Sequence, residues 1–90
     1  MAIVYQTATM GEARVRVALV ERDNADLLVH RVGSRGLAHG DALWFITREP
    51  QNANVHVYFT SQGMAQLRVC FVDNLGEAGW TKLHPLHGRL

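Results

Sequence analysis

Apolar and polar residues alternate in short runs along almost the whole chain. Over residues 14–20, Val15, Val17 and Leu19 share one face, and Arg14, Arg16 and Ala18 share the other. Residues 26–32 place Leu27 and Val29 on the first face, 54–60 place Val55, Val57 and Phe59 there, and 66–72 place Leu67, Val69 and Phe71 there. Residues 3–7 and the continuous apolar run 42–47 are also strand-like, and a short last piece passes through Trp80. A period of two, rich in Val, Tyr, Phe and Thr, marks β-strands because successive side chains leave a strand on opposite faces. The pattern predicts an all-β chain of six or seven short strands. The best helical stretch, 36–45, is broken by Gly40 and runs into β-rich sequence.

Polar connectors separate the strands at 21–24, 33–37, 48–52, 61–64 and 73–77, and they carry Gly, Asn, Asp, Ser and Pro50. Such residues favour turns, and segments this short close a hairpin or arch to a second layer. The second strand faces are not uniformly polar: Val20, Leu28, Val32, Phe45, Tyr58, Cys70 and Val72 fall on them. Some strands must therefore be covered on both sides, which predicts crossing layers in place of one solvated sheet.

A longer rhythm overlies this alternation. Ala13, Ala25, Ala38, Ala53, Ala65 and Ala78 are separated by 12, 13, 15, 12 and 13 residues, and the first three recur 40 residues later as the last three. Aligned at that offset, residues 13–38 and 53–78 are identical at nine of 26 positions, all small or apolar. Internal repetition marks supersecondary units that bury their faces against one another. Here the packing face repeats and no polar residue does, so the expected pseudo-duplication is structural.

Ninety residues allow one domain with a modest core. We expect a single domain over 1–83 and a loose tail over 84–90, where Pro85 and Gly88 fall. The formal charge is only +1, with both signs interspersed, so no strong field steers the chain to nucleic acid or to an anionic membrane. Cys70 is the sole cysteine, which excludes an internal disulfide framework. Without a basic, apolar leader or a long apolar run, the chain reads as soluble and cytoplasmic, with no membrane partner.

The strand motifs Val4-Tyr5-Gln6-Thr7, Ala42-Leu43-Trp44-Phe45-Ile46, Val57-Tyr58-Phe59-Thr60 and Phe71-Val72-Asp73, with the closing Ala78-Gly79-Trp80, carry a family resemblance. Over residues 2–82 the chain resembles the septoil-knot domain family, a bacterial family of unknown function. The resemblance implies a small all-β domain of short crossing strands threaded as a seven-crossing torus knot. Family connectors tend to read Asp-Ser-Lys/Arg, a polar or aromatic residue, Glu or Asp, then Ala. Those here are looser, as in Arg48-Glu49-Pro50-Gln51-Asn52-Ala53. The family supplies no catalytic residues to transfer.

Candidate chemistry is sparse. His84 and His87 have a ligand-like gap without a helix to hold it, and structural zinc takes four ligands. Cys70 sits mid-strand, where a small hydrophobe fits better than a nucleophile. Trp44, Trp80, Tyr58 and Phe59 lie at or beside core positions, which favours packing over a base-stacking platform. The acids are scattered over connectors, and no phosphate-binding glycine motif occurs. One set stands out: Arg16, His56 and Arg68 occupy equivalent outward positions, and on neighbouring strands they would line up three donors for an anion. We therefore expect a non-catalytic, kinetically stable structural or interaction domain with no cofactor and no metal. Its partner is unspecified. A monomer is expected, with a strand-paired homodimer as the other arrangement. The alternative function is a binding module for an anionic ligand or nucleic acid through Arg16, His56 and Arg68.

Overall fold

The computed structural model describes residues 2–90. Seven strands are present: β1 (Ala2–Gln6), β2 (Val15–Leu19), β3 (Leu27–Arg31), β4 (Leu43–Thr47), β5 (Val55–Phe59), β6 (Leu67–Phe71) and β7 (Gly79–Trp80). Every run of alternating residues predicted as a strand forms one. No helix among the described residues is long and apolar enough to cross a membrane.

The spaced alanines have a local cause. Each of the six connectors holds one three-residue 3-10 turn, at Met10–Glu12, Arg22–Asn24, Arg35–Leu37, Pro50–Asn52, Gln62–Met64 and Leu75–Glu77. Each repeat alanine directly follows a turn and closes it. The Ala13 N–H donates to the Met10 carbonyl at 3.1 Å, and Ala25, Ala38, Ala53, Ala65 and Ala78 repeat that bond at 3.1–3.3 Å. A 3-10 turn stays short because its hydrogen bonds are poorly aligned; the closing alanine is already extended except at Ala38, where a second turn at 40–42 precedes β4. The small side chain suits a residue tucked under its own turn: Ala25 and Ala38 are buried and the other four half-buried. The first three turns, with β2 and β3, have counterparts 40 residues later in the last three turns, β5 and β6.

The strand order is β4-β1-β5-β2-β6-β3, and β3 pairs with β4 to close the sheet into a six-stranded barrel. All these pairs are parallel; β7 alone is antiparallel, placing Trp80 opposite Leu27 on β3. The expected crossing layers are thus one sheet rolled on itself, and closure removes the unpaired edges an open sheet would leave. The path is regular. From β1 to β2 to β3 the chain advances two places round the barrel each time, then one place to β4, then two each to β5 and β6. The second circuit inserts β5 between β1 and β2, and β6 between β2 and β3.

Parallel neighbours force each connector to run back along the outside. Accordingly the turn Met10–Glu12 lies against β5, Arg22–Asn24 against β6, Arg35–Leu37 against β4, Gln62–Met64 against β2 and Leu75–Glu77 against β3. The turns against β2 and β3 account for apolar second faces there: Ala18 and Leu28 are buried on the outer side of the sheet, and Ile3 on β1 is buried as well. Inside, Val4, Val15, Val17, Leu27, Val29, Trp44, Val55, Val57, Leu67 and Val69 form the core. Burying a side chain the size of Leu27 or Leu67 is worth about 1.5–3 kcal/mol. Leu19 shares the inward parity of Val15 and Val17 but ends its strand at the rim, 54% exposed.

Residues 84–90, read from the sequence as a loose tail, fold back onto the barrel. Leu90 is buried within the core cluster and Leu86 packs against it. The N–H groups of Gly88 and Leu90 donate to the Asp41 carboxylate at 2.5 and 3.1 Å.

Candidate functional site

The residue after four of the repeat alanines, Ala13, Ala25, Ala53 and Ala65, stands at the mouth of a strand, and at three of these places its side chain clips a neighbouring strand. Asn54 donates its N–H to the Ile3 carbonyl at 2.9 Å and accepts the Ile3 N–H on Oδ1 at 2.6 Å. Gln66 makes the same pair of bonds to Arg16, at 2.9 and 3.1 Å. Asp26 makes it to Arg68, at 2.8 and 3.0 Å. A side-chain oxygen here extends the parallel ladder by one bond and satisfies an N–H that would otherwise lack a strand partner. At the fourth equivalent place, Arg14 makes only the backbone bond, to His56 at 2.8 Å.

Asp26 differs from Asn54 and Gln66 in bringing a charge, and it is only 4% exposed. Burial pushes its carboxyl pKa up. The Arg68 N–H, the Lys82 ammonium and the Arg68 guanidinium together outweigh burial and hold it below its ordinary value. Lys82 Nζ lies 3.1 Å and Arg68 Nη2 3.3 Å from Oδ1, while His84 Nε2 lies 3.6 Å from Oδ2. His84 Nδ1 accepts the Leu86 N–H at 3.1 Å and Nε2 meets the Gln66 carbonyl at 3.1 Å, a pattern that assigns the neutral Nε2–H tautomer. Asp26, Gln62, Gln66, Arg68, Lys82 and His84, with Ala65, line an open cleft of about 360 Å³.

The row anticipated from sequence does lie on three adjacent strands, β5, β2 and β6. Its register is diagonal: Arg16 pairs with Tyr58, two residues beyond His56, and Arg68 pairs with Ala18, two beyond Arg16. Each member also reaches a connector or a strand mouth. Arg16 Nε donates to the Met64 carbonyl at 2.8 Å, His56 Nε2 lies 3.1 Å from the Pro50 carbonyl, and Arg68 meets Asp26. Arg68 is the member that opens onto the cleft. Lys82 and His84, which complete it, follow the last strand and share no repeat position with the row, so periodicity could not have found them.

Asp41 organises a second cluster. Its carboxylate accepts the Trp80 indole N–H at 2.9 Å as well as the two tail N–H groups, and its carbonyl accepts the Trp44 indole N–H at 2.7 Å. Burial raises its pKa, but the Gly88 N–H, the Trp80 indole, the Leu90 N–H and the His87 ring together lower it below the ordinary value. Trp44 is fully buried in the core. Trp80 is half-buried, with His84 stacked on it at 5.2 Å and His87 edge-on at 5.7 Å. Cys70 is half-buried on β6, its Sγ 3.6 Å from the Phe71 carbonyl. Among the described residues, no three His, Cys, Asp or Glu side chains are grouped to hold a metal ion.

The family described as the 7(1) septoil knot domain matches residues 1–81. No curated protein and no solved structure matches the chain.

Proposed function

We propose that this chain, which belongs to the septoil knot domain family, is a non-catalytic structural or interaction domain whose asset is kinetic stability, and that its backbone is threaded as a seven-crossing torus knot. The observation that carries this reading is the order in which the chain visits the barrel. Strands laid down on the second circuit are hydrogen-bonded between strands of the first. Five of the six connector turns pack against a strand of the sheet, and with connectors on the outside a circuit can leave the proposed thread only by passing an end of the chain through the other. The six parallel strands carry the chain one and a half times round the barrel, and the family's description supports a seven-crossing form for the proposed thread. Knots are nearly absent from folded chains, so this path needs a repeated, mutually supporting pattern to specify it. The 40-residue repeat, read as a pseudo-duplication, supplies such a pattern.

A threaded chain unfolds by slow retraction of an end, and resistance to forced unfolding and to irreversible inactivation is set by that rate. The test is unfolding kinetics in denaturant, extrapolated to water. The reading predicts a rate below about 10⁻⁶ s⁻¹, beyond the slow end of the range for small domains. A rate well inside that range contradicts it. The second reading, anion binding through Arg16, His56 and Arg68, is favoured at Arg68, where two further basic groups converge.

A further inference from the structure

We infer that the cleft beside Asp26 is a binding site for a small oxyanion, the phosphate or carboxylate group of a small molecule. The charges do not balance. Arg68 and Lys82 bring two permanent positive charges against the single carboxylate of Asp26, and His84, Gln62 and Gln66 add none in the neutral tautomer that the hydrogen bonds assign. The donors do not balance either. Arg68 carries five side-chain N–H groups and Lys82 three, and Asp26 engages each through one nitrogen at one oxygen. Asp26 is buried at the back of the cleft, whereas the Arg68 and Lys82 side chains are 40% and 52% exposed at its mouth.

The geometry is held in place from behind. The Arg68 backbone is clipped at both its N–H and its carbonyl by Asp26. The Thr81 N–H donates to the Asp26 carbonyl at 2.9 Å and the Thr81 hydroxyl to the Ala25 carbonyl at 2.7 Å, which fixes the segment carrying Lys82. The His84 ring is pinned between Trp80 and the Gln66 carbonyl. A cleft of about 360 Å³ falls at the small end of the range for small-molecule sites. A guanidinium and an ammonium facing one opening suit an oxyanion, because hydrogen bonds between ionised partners are about twice as strong as neutral ones.

The test is a titration of the isotope-labelled full chain with inorganic phosphate and, separately, acetate, followed by amide NMR and compared with sodium chloride at matched ionic strength. The inference predicts saturable shifts centred on Gln66, Arg68, Lys82 and His84. The better of the two anions identifies the group. Lys82→Gln, at an exposed side chain, weakens binding by about tenfold, while Arg35→Gln leaves it unchanged. Asp26→Asn keeps the oxygen that accepts the Arg68 N–H and removes the competing charge, so it tightens binding severalfold. Shifts that track ionic strength alone, equal weakening in the Lys82 and Arg35 variants, or unchanged or weaker binding in a folded Asp26→Asn variant would each overturn the inference. None of these outcomes bears on the unfolding rate, so the cleft and the proposed threading stand or fall separately.

Discussion

Asp26 and Arg68 hold each other twice through the backbone ladder: the Asp26 N–H donates to the Arg68 carbonyl at 2.8 Å, and the Arg68 N–H donates to the Asp26 carboxylate at 3.0 Å. Asn54 with Ile3 and Gln66 with Arg16 repeat the arrangement. A strand of five residues makes few ladder bonds, so one added at its mouth is a large fraction of what anchors it. Asp26→Ala leaves the Arg68 N–H without its acceptor and is expected to cost about 2–3 kcal/mol. Asp26→Asn keeps the acceptor and is expected to cost about 1 kcal/mol or less. Thermal midpoints check this: the alanine variant falls by roughly 10 °C or more, and the asparagine variant stays close to the parent. Equal losses in both would show that the charge, not the clip, matters at Asp26.

The incomplete fourth clip predicts a gain. Arg14 is exposed and makes the backbone bond to His56, but its side chain has no acceptor to offer the His56 N–H. Arg14→Asn is expected to complete the clip and stabilise the fold by about 1 kcal/mol, read as a higher denaturation midpoint. Arg14→Ala is the control, which should show no such gain.

Acid sensitivity follows from two carboxyls, Asp26, which is buried, and Asp41, which is half-buried. Asp26 and Asp41 both have folded pKa values below the ordinary 3.8. Between the lowered and ordinary values the unfolded chain binds more protons than the folded one, so stability rises with pH in that window. Their contribution is complete above about pH 5 and is lost as pH falls through the folded values. The thermal midpoint should be flat from neutrality to about pH 5 and then drop. The Asp26→Asn/Asp41→Asn double variant should start lower and slope less; an unchanged acid slope would place the sensitivity elsewhere.

Asp41 fastens the tail to the barrel through the Gly88 and Leu90 N–H groups and to β7 through the Trp80 indole. Gly88 sits at φ +82°, a region that favours glycine, where the chain turns back toward Asp41. Asp41→Ala is expected to release residues 84–90, and faster hydrogen exchange at Gly88 and Leu90 reads this directly. The cost is on the order of 2 kcal/mol. Exchange unchanged at both amides would mean that the Leu86 and Leu90 side chains hold the tail by packing alone.

The strands were legible because a period of two is a local signal: Val15 and Val17, Val55 and Val57, and Leu67 and Val69 all point inward as their alternation predicts. The alanine rhythm was legible but its cause was not, since a three-residue 3-10 turn leaves no hydrophobic period. Strand order was hidden for a different reason. The neighbours of β2 are β5 and β6, reached by pairings such as Val15 with Val57 and Val17 with Leu67, and no short window of sequence contains such a pair. The outward positions of Arg16, His56 and Arg68 were legible from parity. Their partners Met64, Pro50 and Asp26 depend on where connectors cross the outside of the barrel. Pro85 and Gly88 suggested a loose end, and only the long-range contact of Asp41 with Gly88 and Leu90 ties it down.

The central claim is the threading of two circuits through one another, and pulling a single chain from both ends tests it most directly. Ninety fully extended residues span about 300 Å. A threaded chain tightens under force and traps a segment, so the account predicts a final extension short of that length by on the order of tens of ångströms. Full extension to the unknotted length after unfolding would contradict it.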